Sequence, residues 1–276
     1  MRKWKNVSQP QPPSLHLCFE RGEFCMKKNK VLYLCTIFFV AFLSMSAYAQ
    51  QEEHIVALYL FDDGSGDEVI DSSGNENHGM FQGGVERVNG WFGGGLEFNG
   101  SDAFVEIPDS ESLTLTDGLT IALWIYMNSY STAGGTGVTK ETTYKAGTRS
   151  DKKMIFRATT TGGAWGDNVA AGDTDVPLGE WHHVAATYDA ASGDVIVYLD
   201  GKEDGKGSLS GEITPNTNVV WIGRGQSPYF EGIYDEVAIW DVALSRAEIV
   251  EAMNALHAVE PSGKLASTWG RMKTAY

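Results

Sequence analysis

The chain is 276 residues long and carries a formal charge of -15, with its charges unevenly divided. From residue 50 onward 14 basic residues face 34 acidic ones, a net of -20, which argues against nucleic acid and anionic membrane surfaces as partners. All three cysteines (Cys18, Cys25, Cys35) precede that point, so the remaining 227 residues form no disulfide and depend on a hydrophobic core.

Met26 to Lys30 is a basic stretch. Val31 to Met45 is apolar, and Ala47-Tyr48-Ala49 has the small-x-small form of a signal-peptidase site. This reads as a signal peptide over residues 26–49, with the mature chain starting at Gln50 and exported to a secreted, periplasmic or extracellular location. The apolar run is short of the roughly 20 residues that a membrane span needs, and an N-terminal anchor is the alternative. No membrane span is expected in the mature chain. Residues 1–25 resemble no part of a signal peptide and read as an upstream extension that is not native.

Ile55 to Phe61 is the first strand, followed by the acidic loop Asp62 to Asp67 and a turn rich in backbone-bonding residues, Asp71, Ser72 and Asn75. Gly93 to Gly100, ending in Asn-Gly, and Ala103 to Ile107 read as strands joined by a tight hairpin connection at Asn99 to Asp102. Leu119 to Tyr126 is an unbroken apolar strand. Residues 128–151 are polar and Gly/Thr-rich and read as a surface excursion or an irregular hairpin. Met154 to Ala158 is a strand, and Thr161 to Asn168 is a Gly-rich loop carrying Trp165.

Trp181 to Asp189 and Asp194 to Leu199 form a hairpin around Ala190 to Gly193. Both side-chain parities of Val195 to Leu199 are apolar, which predicts cover on both faces. Lys206 to Ile213, Asn218 to Gly223 and Gly232 to Asp241 complete the strands. Ser245-Arg246-Ala247-Glu248 is a capping box, and Ile249, Met253 and Leu256 then share one helical face. Residues 258–276 are a tail. Short strands punctuated by turns predict an all-β, two-sheet antiparallel sandwich over residues 50–257, with one short C-terminal helix.

Six segments occur in order: LYLFDDGSG, VIDSSGNENHG, GLEFNGSDAFVEIP, LTIALWIY, WHHVAATYD with VIVYLDGK, and GIYDEVAIWDVALSRAEI. Together they resemble the LamG-like jelly-roll domain of the concanavalin A-like lectin/glucanase superfamily, from about residue 55 to 252. The resemblance implies a jelly roll with one concave sheet. It leaves function open, because family members bind carbohydrate, bind protein or serve as spacers, and related glucanases hydrolyse β-glucans.

The resemblance also implies a calcium site that ties an N-terminal segment to a Gly-rich turn and to the last strand. The matching positions are Asp62, Asn99 with Gly100, and Asp235. Their other reading is as loop caps and acceptors of backbone hydrogen bonds. For sugar, which offers an apolar ring face and a hydroxyl rim, the candidates are Trp165 with Asp167 and Asn168, then Tyr229 and Phe230. Trp165 also reads as a loop anchor. Trp124, Trp181, Trp221 and Trp240 lie in strand patterns and read as core; Trp91 fits either role. The glucanase pattern Glu-x-Asp-x-x-Glu is lacking, and His182 and His183 point to opposite faces of a strand. The sequence therefore reads as a non-catalytic module for carbohydrate or a cell-surface polymer. A protein-binding adhesion module is the alternative and a polysaccharide hydrolase a distant third.

Overall fold

A computed structural model describes residues 54–255 except 63–64, 132–135, 166–168 and 227. The chain divides into two units, Met1–Gln50 and Gln51–Tyr276, and every described residue belongs to the second. The leader, Asp167, Asn168, Leu256 and the 258–276 tail lie outside the described residues. Among those described, no helix is long and apolar enough to cross a membrane.

Two antiparallel sheets carry the chain. The first runs β14 (Lys202–Ser208), β13 (Asp194–Leu199), β12 (Trp181–Asp189), β7 (Gly118–Met127), β16 (Glu231–Trp240), β5 (Gly94–Asn99) and β4 (Glu86–Asn89). The strand β1 (Ile55–Tyr59) also pairs with β16, along residues 237–240, whereas β5 pairs with residues 231–234. The second sheet runs β11 (Val169–Ala171), β10 (Met154–Ala158), β9 (Tyr144–Thr148), β8 (Thr136–Lys140), β15 (Val220–Ile222), β6 (Phe104–Ile107), β3 (Gly79–Gln82) and β2 (Glu68–Val69).

Strand alternation aims one set of side chains between the sheets: Leu96, Phe98, Ile121, Leu123, Phe156 and Tyr234 are among those sealed there. A second, smaller core lies on the outer side of the first sheet. There the helix α1 (Arg246–Ala255) lays Ile249 and Ala252 over Ala122, Ala185, Tyr198, Ala238 and Trp240. The expected cover on both faces of β13 is thus the main core on one side and the region under α1 on the other. The helix cap is reciprocal: Ser245 N–H donates to Glu248 Oε2 at 2.7 Å, and Glu248 N–H donates to Ser245 Oγ at 3.4 Å.

The structure departs from expectation at several points. Asn99 to Asp102 does not turn a hairpin, since β5 and β6 belong to different sheets and the turn carries the chain across the sandwich. Of the two readings of residues 128–151, the hairpin holds for 136–148. Its strands β8 and β9 lie inside the second sheet, packed so closely at Gly137 and Gly147 that a Cβ on either would strike the facing backbone. The strand after the central hairpin begins at Lys202, because Asp200 and Gly201 both have positive φ and turn the chain at once. Of the four strand tryptophans read as core, Trp240 and Trp124 are buried and Trp181 and Trp221 are half-buried, but none lies between the sheets. Trp181 pairs with Tyr126, Trp124 with Asp235, and Trp240 with Thr120, all on the outer face of the first sheet; Trp221 pairs with Glu106 on the outside of the second. A parity choice of one residue decides this, and composition does not report it.

Candidate functional site

A cleft of about 340 Å³ opens where β16 begins and β7 ends. Its walls include Gly100 and Ser101 from the sheet-crossing turn, Ser129 to Ser131 after β7, Tyr229 and Glu231. The walls are tied together by Ser129 Oγ donating to Glu231 Oε2 at 2.5 Å, Asn128 N–H to Glu231 O at 3.0 Å, and Gly100 N–H to Phe230 O at 2.9 Å. Hydroxyls and one carboxylate thus line a concave site beside two tyrosine rings. Lys152 lies over the Tyr130 ring (5.3 Å) and Arg224 over Tyr229 (5.1 Å), so these two cations are turned onto aromatic faces.

The expected ligand residues separate. Tyr229 lines the cleft. Phe230 does not: it is 2% exposed, stacked on Tyr234 at 3.9 Å and edge-on to Phe98 at 6.1 Å. Neighbours in extended chain face opposite ways, so a Tyr229 facing out drives Phe230 into the core. Trp165 is half-buried beneath two cations, with Lys145 Nζ at 5.7 Å and the Arg157 guanidinium at 5.6 Å, and it lines no part of the cleft. Its ring thus lies against side chains of β9 and β10.

The expected metal residues also separate. Asn99 spends its side-chain oxygen on the N–H groups of Ser101, Asp102 and Ala103, and Gly100 opens on the cleft. Asn99 pairs with Glu231, four residues from Asp235 and so about 13 Å along the strand. Asn99 and Gly100 are therefore not at one site with Asp235. Asp62 and Asp235 do share a site, built on the tight turn 90–94. Asp62 Oδ1 accepts from Gly94 N–H at 2.7 Å, Asp235 Oδ2 accepts from Phe92 N–H at 2.9 Å, and Gly90 N–H closes the turn on Gly93 O at 3.1 Å. A Cβ at Gly90 would strike the Asp235 carboxylate, and one at Gly93 would strike Asp62.

Glu236 is the member that sequence reasoning missed. Regular alternation would aim it away from Asp235, but β16 bulges there, with Glu236 at φ 51° and the pairing to β7 shifted between Asp235 and Ala238. Burial pushes the Asp235 carboxyl up to about 7, with Asp62 adding repulsion against the backbone donors. Burial, then repulsion from Asp235 and Asp62, pushes Glu236 up to about 10. Glu236 is 2% exposed, and its Oε2 has no hydrogen-bond partner. Among the described residues no three His, Cys, Asp or Glu side chains converge tightly enough to cage a metal. Asp62 and Asp235 accept backbone N–H groups of Gly94, Phe92 and Glu236, as in the other reading of these positions, and the buried Glu236 Oε2 is left beside them as an oxygen without a partner.

The same turn carries Trp91, which is 46% exposed and stacks on Trp124 at 4.4 Å and 17°. Trp181 leans against Trp91 at 6.2 Å and against Tyr126 at 5.7 Å. The two adjacent histidines do face opposite ways: His183 packs edge-on against Trp124 at 5.4 Å, and His182 bonds Asp200 at 3.0 Å.

No curated protein matches the chain significantly. Domain 4 of AbnA, a GH43 extracellular arabinanase from Geobacillus stearothermophilus solved with arabinotriose, is similar over 72% of this chain and 98% of that domain, with 21% identity and a TM-score of 0.58. Botulinum neurotoxin type C, whose cell entry depends on two ganglioside molecules, is similar at 14% identity and a TM-score of 0.59, over 76% of this chain and 53% of that one. The binding domain of botulinum neurotoxin DC, solved with rat synaptotagmin II, is similar at 14% identity and 0.58, over 75% and 52%. The chain thus spans about half the length of the toxin chains, and the likeness is one of fold. The family model Laminin_G_3, described as the Concanavalin A-like lectin/glucanases superfamily, matches residues 99–250, more than half of the sequence. With the two-sheet sandwich, the ordered segments and this match in agreement, the chain belongs to the concanavalin A-like lectin/glucanases superfamily.

Proposed function

We propose that this is an exported, non-catalytic binding module for carbohydrate or a cell-surface polymer. The observation that carries the reading is the concave cleft in which serine hydroxyls and Glu231 stand beside Tyr229 and Tyr130. Sugars need an aromatic face for the ring and polar groups for the hydroxyl rim, and both are within reach there. The arabinotriose complex of the similar AbnA domain and the ganglioside dependence of the similar toxin support the ligand class. The leader at residues 26–49 supports export. A protein partner is the second reading, favoured by the exposed Trp91 and Leu178 and by the synaptotagmin complex of another similar domain.

Calcium belongs to the proposal as a structural ion held by Asp62 and Asp235, with Glu236 in reach. When bound, it supplies the positive charge that lets buried carboxylates ionise. Asp62 and Asp235 also hold the 90–94 turn in place through its backbone N–H groups. Binding of the purified protein to a polysaccharide and glycan panel, with calcium and then with a chelator, tests both parts. Binding lost in Tyr229→Ala and Glu231→Ala is expected. Calcium should raise the melting temperature, and Asp235→Ala should abolish that rise. A protein that ignores the whole panel would shift the assignment to a protein partner.

A further inference from the structure

Along β16, Glu231, Ile233 and Asp235 alternate onto one face, the outer face of the first sheet. Glu231 belongs to the cleft, and Asp235 bonds the turn that mounts Trp91. Between them a row crosses the sheet through Tyr126, Ile233, Glu97 and Glu86, each directly opposite the next and none of them buried. Glu231, at the cleft, and Asp235, which bonds the turn that mounts Trp91, therefore share one face, four residues and about 13 Å apart along the strand.

Two features of this face are not explained by folding. Trp91 keeps almost half its surface in solvent although Trp124 backs its other side. Glu86 and Glu97 stand directly opposite each other, a like-charge pair that costs stability. An exposed ring, a tyrosine and a row of carboxylate acceptors suit a chain of sugars whose rings stack while their hydroxyls donate. An anionic chain would meet three carboxylates along this face, Glu86, Glu97 and Glu231, while the cations beside the cleft, Lys152 and Arg224, lie over its Tyr130 and Tyr229 rings.

The geometry points to an extended site, running from the Glu231 cleft across Ile233 and Glu97 to Trp91, that takes an internal stretch of a neutral polysaccharide longer than a disaccharide. This rests on the carbohydrate reading above and adds the length and charge of the ligand. The Trp91 end is a stacking subsite of its own, positioned by Asp62 and Asp235 through the turn 90–94.

Titration calorimetry of the purified protein with neutral arabino- and cello-oligosaccharides, from the monosaccharide to the hexasaccharide, tests it, with oligogalacturonates as the anionic series. Affinity should climb with length in a neutral series. Trp91→Ala and the surface change Glu97→Lys should each remove about three- to tenfold from the hexasaccharide and leave the monosaccharide unchanged. Trp91→Phe should restore most of the length dependence, which separates stacking from a folding defect. Length-independent binding that Tyr229→Ala abolishes and Trp91→Ala spares would overturn the extended site and leave the cleft reading standing. No binding of any saccharide would bring down both. Tighter binding of oligogalacturonates than of neutral chains would overturn the assignment of a neutral ligand.

Discussion

The outer face of the first sheet is divided between two treatments of the same strands. Toward one end, β7, β12 and β16 present Ala122, Ala185 and Ala238, and α1 lies down on them. Two residues along β7 and β12, and three along the bulged β16, the outward positions hold Trp124, His183 and Asp235, and cover there comes from a single turn. Small side chains let a helix approach and bury an apolar surface. Large rings and carboxylates stop the helix and leave the face partly in water. The difference separates a half whose composition serves stability from a half that holds charge and exposed aromatic surface at a cost.

The sharpest way to break that comparison is Trp240→Ala. Trp240 is sealed beneath α1, so its loss should cost about 3–5 kcal/mol in urea unfolding while the binding of any confirmed ligand stays unchanged in the folded fraction. An equal loss of binding at full folding would mean that the two halves are one functional unit.

The acidic half should reveal itself through pH. Asp235 and Glu236 titrate well above ordinary carboxylates in the folded chain, so the native state keeps protons that the unfolded chain has released. With chelator present, stability should be greatest below about pH 4 as far as these two groups are concerned. It should decline as pH rises toward about 7 for Asp235 and onward toward about 10 for Glu236. Urea midpoints measured at mildly acidic and mildly alkaline pH give the difference; Asp235→Asn should shrink it, and calcium should shrink it in the wild type. A pH-independent midpoint would mean that these carboxylates are solvated or already neutralised.

Smaller effects sharpen the same division. Ala185→Leu should overfill the α1 contact and cost about 1–3 kcal/mol. Ser245→Ala removes one half of the reciprocal cap and should cost about 1 kcal/mol, read as a shift in thermal midpoint. Neither residue lines the cleft, and ligand affinity should be unmoved by both changes.

The central hairpin, the strand Met154–Ala158, the last strand and the capped helix were legible in the sequence because their signals are local: β-branched runs, turn residues and the spacing of Ser245 and Glu248. Tyr229 and the pairing of Asp62 with Asp235 were legible as candidates. The side to which Trp124, Trp181, Trp221 and Trp240 face was not, nor was the burial of Phe230, since a shift of one residue exchanges inside for outside without altering composition. Glu236 entered the acidic site only through a bulge in β16. Trp91 became a surface platform only because the turn 90–94 folds back over β7 and sets its ring on Trp124.

Those two rings belong to residues 33 positions apart in the chain (124 minus 91), and no local signal pairs them. Alternation, turn chemistry and capping act between near neighbours, which is why the linear order of residues was enough to specify a two-sheet sandwich with one docked helix. Which carboxylates and rings meet depends instead on strand parity, on the bulge in β16 and on the sheet-crossing turn. These set the distances between residues far apart in the chain, and they exist only once the sheets have packed.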